Sequence, residues 1–499
     1  MKRLWLVSAF AFLTLTTPAQ DSGQGRPPVP YGPVPTPAQV AWQRMEMNMF
    51  CHFGPNTFTG EEWGSGAEAE DIFSPAALDC NQWVAVAKQA GFGGIILTAK
   101  HHDGFCLWPN PQSTHTVRRS AWRDGKGDVL KELSAACRKG GVKFGIYISP
   151  WDRNAPTYGT DAYNKVFLKT LRHAHTHYGP IFEQWFDGAN GEGPNGKRQV
   201  YDWRKFNAQT RKLQPDAVIF SDVGPGCRWV GNEEGSCGRT CWSRLDVEGR
   251  EPGKNAPAQD TLNAGNYNGG SWIPAETDVS IRPGWFWRAS EHPKSVQELL
   301  KIYYNSVGRN SLLLLNVPPD NRGLIPAEDS LRLMEFRAAL DSIFAHDLAK
   351  RAVKICASNE RWLKDNSRCW PNEQPFPLPA KYAAYWLLNG SYDPYWATDD
   401  TVTSASVTLE FDQPQTFNRV MLQEYIPLGQ RVEKFHVEIE DENGSWRTIA
   451  EETTIGYKRI VLTETVTTQK VRVVIDRSRA CIVLNRVGLF MDDVLWEGD

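Results

Sequence analysis

From about residue 45, short continuous apolar runs alternate with stretches whose apolar positions recur at helical spacing. The runs Met45–Phe53, Gly94–Ala99, Lys143–Ile148, Ile181–Phe186, Ala217–Ser221 and Leu312–Val317 have the length and continuity of strands covered on both faces. Between them, Asn81–Ala90, Asp128–Lys139, Ala162–His177, Trp203–Leu213 and Ser295–Val307 read as amphipathic helices. Alternation of this kind predicts parallel βα units. A closed (β/α)8 barrel suits this length better than an open doubly wound sheet, and no Gly-x-Gly-x-x-Gly segment follows the first run. Two strands expected around residues 260–290 are ill-defined, so the barrel is predicted to be irregular there.

After a helical pattern over Glu328–Phe344 the texture changes. Ser404–Phe411, Arg419–Glu424, Lys434–Glu440, Arg459–Leu462 and Lys470–Ile475 are all strand-like, with turn residues such as Asn443-Gly444 between them. This predicts an all-β sandwich of jelly-roll type. The expected divisions are residues 1–19, 20–38, 39–348 and 349–499, with the barrel in the third and the sandwich in the fourth.

The first two divisions concern export. Lys2 and Arg3 precede an apolar run from Leu4 to Leu15, and Thr17-Pro18-Ala19 closes it, the pattern of a secretory signal cut after Ala19. Residues 20–38 are rich in Pro and Gly and read as an extended leader. The mature protein is then expected to be secreted or periplasmic. No later segment has the ~20 apolar residues that a membrane-spanning helix needs.

Charge narrows the partners. Lysine and arginine number 55 against 58 aspartate and glutamate, a net charge of -3, which gives no electrostatic reason to expect nucleic acid or an anionic membrane. The 20 tryptophans serve mainly to fill a large core, though aromatic faces also stack on the C–H faces of sugars. Ten cysteines in an exported chain can pair, but their spacing announces no framework. Cys227, Cys237 and Cys241 lie close together, and a bridge among them would brace one loop; a zinc site there would need paired Cys-x-x-Cys elements that are missing. Asp399-Asp400 has the composition of a calcium-binding turn, which exposed turns share anyway. No motif calls for a cofactor or a metal.

In a (β/α)8 barrel the chemistry sits at the C-terminal ends of the strands. Here those ends are polar and aromatic: His52-Phe53-Gly54, Lys100-His101-His102-Asp103, Ser149-Pro150-Trp151-Asp152, Trp185-Phe186-Asp187-Gly188 and Ser221-Asp222-Val223-Gly224. Five such ends together suggest a sugar pocket. Hydrolysis of a glycoside with retention needs two carboxyl groups about 5–5.5 Å apart, a nucleophile and a general acid/base. Asp187 suits the first role; capping of the following helix is its ordinary alternative. Glu233 and Glu234, between Gly231 and Gly235 on the loop after the fifth strand, are both candidates for the second, and spacing does not separate them.

The segments Asn48-Met49-Phe50-Cys51-His52-Phe53-Gly54, Thr98-Ala99-Lys100-His101-His102-Asp103-Gly104-Phe105 and Trp185-Phe186-Asp187-Gly188 together resemble glycoside hydrolase family 29, the α-L-fucosidases. The resemblance covers about residues 40–345. It implies Asp187 as nucleophile and His52, His101 and His102 in the fucose pocket. Glu62-Trp63 resembles a segment that closes over the sugar, and Trp185 and Arg228 are implied as further pocket residues; Trp151 is a candidate from its place at the third strand end. The stretch from Arg228 through Asn232-Glu233 to Gly235 resembles the group acting on α-1,3- and α-1,4-linked fucose of Lewis-type glycans, which favours Glu233 as acid/base. Ile273-Pro274-Ala275-Glu276-Thr277-Asp278 fits the same group, with Glu276 either recognising the next sugar or bracing the barrel. The C-terminal region resembles the discoidin-like sandwich of family members. The rival expectations are a fucosidase of the other group, with relaxed linkage preference, and a silent fucose-binding protein.

Overall fold

A computed structural model describes residues 25–362, 369–372 and 379–494; the signal-like segment 1–19 lies outside the described residues. Eight parallel strands close a barrel. In chain order they are β1 (Met47–Cys51), β2 (Gly94–Lys100), β3 (Lys143–Ile148), β4 (Glu183–Trp185), β5 (Val218–Ser221), β6 (Cys227–Trp229), β7 (Ala275–Ser280) and β8 (Ser311–Asn316), with β8 returning to pair with β1. Almost every residue of these strands is buried, as expected when side chains fill the barrel on one face and helices cover the other. The helices start where side-chain acceptors satisfy their free N–H groups: Asp79 caps Cys80–Gln89, Asp128 caps Val129–Gly140, and Ser295 with Glu298 forms a capping box on Val296–Asn305.

The irregularity falls earlier than the sequence suggests. Parallel neighbours are normally joined by a crossover of a dozen or more residues, yet β5 and β6 are joined by residues 222–226 alone. The tight return requires Gly226, where a Cβ atom would lie 2.4 Å from the Ile219 nitrogen. Arg228 thus belongs to a strand, not to a loop. Of the two strands expected over residues 260–290, only Ala275–Ser280 joins the barrel; Ser271–Trp272 pairs instead with Arg244–Leu245 in a small antiparallel ribbon.

The C-terminal region is an antiparallel β-domain built on two long strands, Ala405–Glu424 and Arg459–Ser478, that pair along most of their length. Register shifts between Glu410 and Gln415 and between Phe417 and Arg419 bend the pair. The first half of Ala405–Glu424 therefore pairs with Lys354–Ala357 and the second half with Val483–Phe490, so one strand serves both layers around a core that includes Leu409, Val420, Phe435 and Val473. Cys356 and Cys369 form a disulfide. Asp399 accepts from Asn359 Nδ2 and from the Trp362 amide, and Asp400 is paired with Arg361 at 2.7 Å, so this turn is held by its own protein donors. The two domains are joined tightly. Met421, Ile460 and Phe490 of the β-domain pack into the main hydrophobic cluster of the barrel, and Glu46 accepts from Tyr457 and Lys458. The proline-rich stretch before the barrel is extended and pinned to the β-domain, with Arg431 donating to Val29 and the Tyr31 amide to Leu428. No helix among the described residues is long and apolar enough to cross a membrane.

Candidate active site

Side chains on a strand alternate between its two faces, so Glu183, Trp185 and Asp187 follow one another up the inner face of β4 and beyond its end. The top of this column opens into a cavity of about 240 Å3, lined by Trp185, Asp187, Phe220, Asp222, Trp229, Glu233 and Asp278. That is below the roughly 300–1,000 Å3 of drug-sized pockets, a size suited to one sugar ring.

Asp187 is held at both oxygens. Oδ1 accepts from the Ala189 amide at 2.7 Å and Oδ2 from the Tyr147 hydroxyl at 2.9 Å. His102 Nε2 lies 3.7 Å from Oδ2. Ser149 Oγ, 3.0 Å from the Trp151 carbonyl, lies 2.8 Å from His102 Nδ1 and fixes the ring. His102 Nε2 and Asp187 Oδ2 thus face each other across a gap too long for a hydrogen bond. Asn316 fixes His52 at Nδ1 in the same way, at 3.0 Å.

His101 completes a ring cluster, 4.2 Å from His102, 5.6 Å from His52 and stacked 5.7 Å from Tyr147. Its buried Nδ1 has no hydrogen-bond partner among the described residues. Burial pushes His52 down to about 3 and His102 to about 4, and holds His101 well below its usual range. All three imidazoles are thus neutral near pH 7 and offer hydroxyl donors and acceptors without charge.

Glu233 stands at the exposed lip of the cavity, where Trp285 Nε1 donates to its Oε2 at 3.1 Å. Desolvation raises its carboxyl above the ordinary range, Asp187 and Glu62 add to the rise, and the Trp285 bond opposes it. Glu234 is exposed and does not line this cavity. Glu62 is committed to the protein, accepting from the Trp285 amide at 2.7 Å and pairing with Arg288 at 2.5 Å, and so ties the loop after β1 to the loop after β7. Trp63 is 57% exposed, edge-on to Trp151 at 5.7 Å and to His102 at 6.2 Å, a free aromatic face at the rim. Trp151 is buried and anchored by the Glu192 carbonyl.

Two residues expected in the pocket lie elsewhere. Arg228 follows Cys227 and precedes Trp229 on β6, and since Trp229 faces the cavity, Arg228 points outward. It is fully buried and spends its guanidinium on the Leu262 and Ile273 carbonyls and the Cys241 sulfur. Glu276 shares a face of β7 with Asp278 but lies two residues, about 6–7 Å, deeper. Its Oε1 accepts from Trp185 Nε1 at 2.9 Å, so of its two expected roles the structure shows the bracing one. There Glu276 meets Glu183 and Cys227, their ligating atoms all within 4.8 Å. Glu183 in turn accepts from Trp42 Nε1 at 2.7 Å. Burial pushes Glu183 up to about 7 and Glu276 well above its usual range. Two carboxylates this close in the interior cannot both ionise, so the pair holds a proton between them.

Tyr147 and Trp285 were given no role in the sequence, and Asp222, Trp229 and Asp278 stood inside segments of interest there without a role of their own. Burial lifts Asp222 to about 6, and burial together with Glu233 lifts Asp278 well above the carboxylate range. Tyr147 was hidden inside an apolar run, although its phase with Ser149, two residues on, places it on the inner face of β3.

A barrel whose strand ends gather three neutral histidines, exposed and buried tryptophans and a carboxylate held at both oxygens is a sugar-processing site. The family model for α-L-fucosidase matches residues 31–341. The chain belongs to the α-L-fucosidases of glycoside hydrolase family 29. A second model, for the NedA-like galactose-binding domain, matches residues 387–473, within the β-domain. Alpha-L-fucosidase 1 of Arabidopsis thaliana is 41% identical over 487 residues, 97% of this chain and 92% of that protein. A family 29 glycoside hydrolase from a rumen bacterium has a solved structure with a TM-score of 0.79 at 39% identity, covering 94% of this chain and 79% of that one. A Ruminococcus gnavus family 29 fucosidase solved in complex with fucose superposes with a TM-score of 0.85 at 30% identity, over 94% and 97% of the two chains. The chain is thus a glycoside hydrolase with α-L-fucosidase activity.

Proposed function

We propose that this fucosidase releases terminal α-1,3- and α-1,4-linked L-fucose from Lewis-type glycans with retention of configuration. Asp187 acts as nucleophile and Glu233 as general acid/base. The observation that carries the reading is that Asp187 and Glu233 line one small cavity in unlike surroundings. Asp187 is oriented by two donors at the floor, ready to attack C1 and form a fucosyl ester. Glu233 sits at the lip with its carboxyl raised, so it can hold a proton for the departing sugar oxygen and afterwards take one from water. His52, His101 and His102 meet the fucose hydroxyls, and Trp63 stacks at the rim. The preference for branched linkages follows the Asn232-Glu233 segment. Since Glu276 lies below the pocket, the sugar beyond fucose must be met by the lip around Trp229, Glu233 and Trp285.

Export from the cytoplasm is part of the same reading, supported by the Cys356–Cys369 disulfide in the β-domain.

Turnover of Lewis trisaccharides, an α-1,2-fucosylated oligosaccharide and an aryl fucoside tests the linkage. Fast release from the trisaccharides alone is expected, and equal rates on all three would assign the enzyme to the group with relaxed preference. Azide should rescue Glu233→Ala as a fucosyl azide; rescue of Glu234→Ala instead would move the acid/base by one residue.

A further inference from the structure

The loop that carries Glu233 runs on to two cysteines that the catalytic reading does not use. Cys237 and Cys241 are each 1% exposed, and their sulfurs lie 3.3 Å apart. Their backbones are pinned on both sides. The Cys237 amide donates to the Asn305 carbonyl at 2.9 Å, and its carbonyl accepts from Arg309 at 3.0 Å. The Cys241 amide donates to Thr454 Oγ1 at 2.9 Å, and its carbonyl accepts from Asn310 and Gln430. The three residues between them reach the β-domain, through Arg239 on Glu452 at 2.8 Å and Thr240 on Thr453 at 3.0 Å. The turn therefore fastens the end of the Glu233 loop to the interface between the domains.

We infer that Cys237 and Cys241 are joined by a second disulfide, which closes this turn and braces the loop bearing Glu233 against the β-domain. Going from 3.3 Å to the ~2.05 Å of a sulfur–sulfur bond needs an approach of only about 1.3 Å. Such a shift lies within small side-chain rotations. The Cys237 thiol and the Arg228 guanidinium, 3.7 Å from Cys241 Sγ, hold the Cys241 thiol below its usual range against the upward push of burial, so it is the readier thiolate. The same chain already carries one disulfide, Cys356–Cys369.

The chemistry is thiol–disulfide exchange with a disulfide donor of the glutathione or protein-oxidoreductase class. The Cys241 thiolate attacks one donor sulfur and releases the first donor thiolate. The Cys237 thiolate then attacks the Cys241 sulfur and expels the second. Two protein thiols lose two electrons and two protons, and the donor disulfide is reduced to two thiols. Both sulfurs are buried in the folded chain, so the exchange precedes the docking of this turn.

Full-length protein produced in an oxidising compartment is denatured without reductant and alkylated with iodoacetamide. With a second disulfide, six of the ten cysteines take the label. Eight labels, with peptides 229–239 and 240–244 each alkylated after trypsin, would overturn the inference. Because trypsin cuts after Arg239, the bridge is read directly as those two peptides joined and separating on reduction. Cys237→Ala leaves Cys241 without a partner and should give seven labels; five would mean that Cys241 pairs with another cysteine of the chain. The same variant reads the brace: the folded enzyme should be cut faster at Arg239 than the wild type, and equal rates would contradict it.

Discussion

Replacing Glu276 by glutamine keeps an acceptor for the Trp185 indole and sets an amide donor against Glu183, so one half of the buried carboxyl pair becomes permanently neutral. The wild-type pair keeps a proton that the unfolded chain releases. Glu183 moves from an ordinary value of 4.5 to about 7, and each unit is worth about 1.4 kcal/mol. The sign follows from proton counts. Between those values the folded state binds more protons than the unfolded state, so stability is fully present below about 4.5 and declines as pH rises to about 7. The loss across that window is of the order of 3 kcal/mol for this site. In Glu276→Gln the decline from Glu183 remains, because burial causes it, while the further decline from Glu276, whose carboxyl burial and Glu183 hold well above its usual range, should vanish.

Thermal melts of both proteins at pH 5 and pH 7.5 read the difference. At roughly 2–4 °C per kcal/mol for medium-sized domains, the wild type should lose several degrees more than the variant on going to the higher pH. Asp103 and Asp222 also have raised values, but from causes other than Glu276, and they contribute equally to both proteins. Equal losses in wild type and variant would show that no proton is shared and would sink the reasoning. Glu276→Leu provides the contrast: it strands the Trp185 indole N–H in the interior, at a cost of about 1–3 kcal/mol at any pH.

Other outcomes follow from the same geometry. Asp187→Asn should lower kcat on a Lewis trisaccharide by roughly 10^3-fold or more with an unchanged melting temperature; a fall in melting temperature to match would mark Asp187 as structural. Glu233 must be protonated to act as an acid and its carboxyl is raised, so kcat/KM should fall as pH rises through its value. Trp285→Phe removes the donor that opposes that rise, and the alkaline limb should move to higher pH; a limb that stays in place would separate it from Glu233. Trp63→Ala should raise KM for fucosylated substrates several-fold without destabilising the fold, because the ring is mostly exposed; an unchanged KM would remove it from the rim.

The strand ends were legible because each follows an apolar run long enough to recognise, which made His52, His101, His102 and Asp187 readable before any geometry. Strand β6 was not, because three residues after a five-residue link carry no periodicity. Once Arg228 was read as part of a loop, the alternation that turns it away from the pocket and Trp229 toward it was lost. Glu276 shows a different limit: the sequence contained both Glu276 and Asp278, but only the depth of β7 in the barrel decides which of the two reaches the cavity. In the β-domain, Ser404–Phe411 and Arg419–Glu424 were read as separate strands because the bulges between them interrupt the alternation, though the chain continues through as one. Contacts across the domains, such as Arg431 on Val29, join residues too far apart in sequence for any local pattern to announce.

The measurement that reaches the centre of the account is the anomeric form of the fucose first released from a Lewis trisaccharide, followed by proton NMR before mutarotation mixes the anomers. Attack by Asp187 followed by water from the face of Glu233 predicts that α-L-fucose appears first. An initial β-anomer would mean a single inversion, and Asp187 could not be the nucleophile.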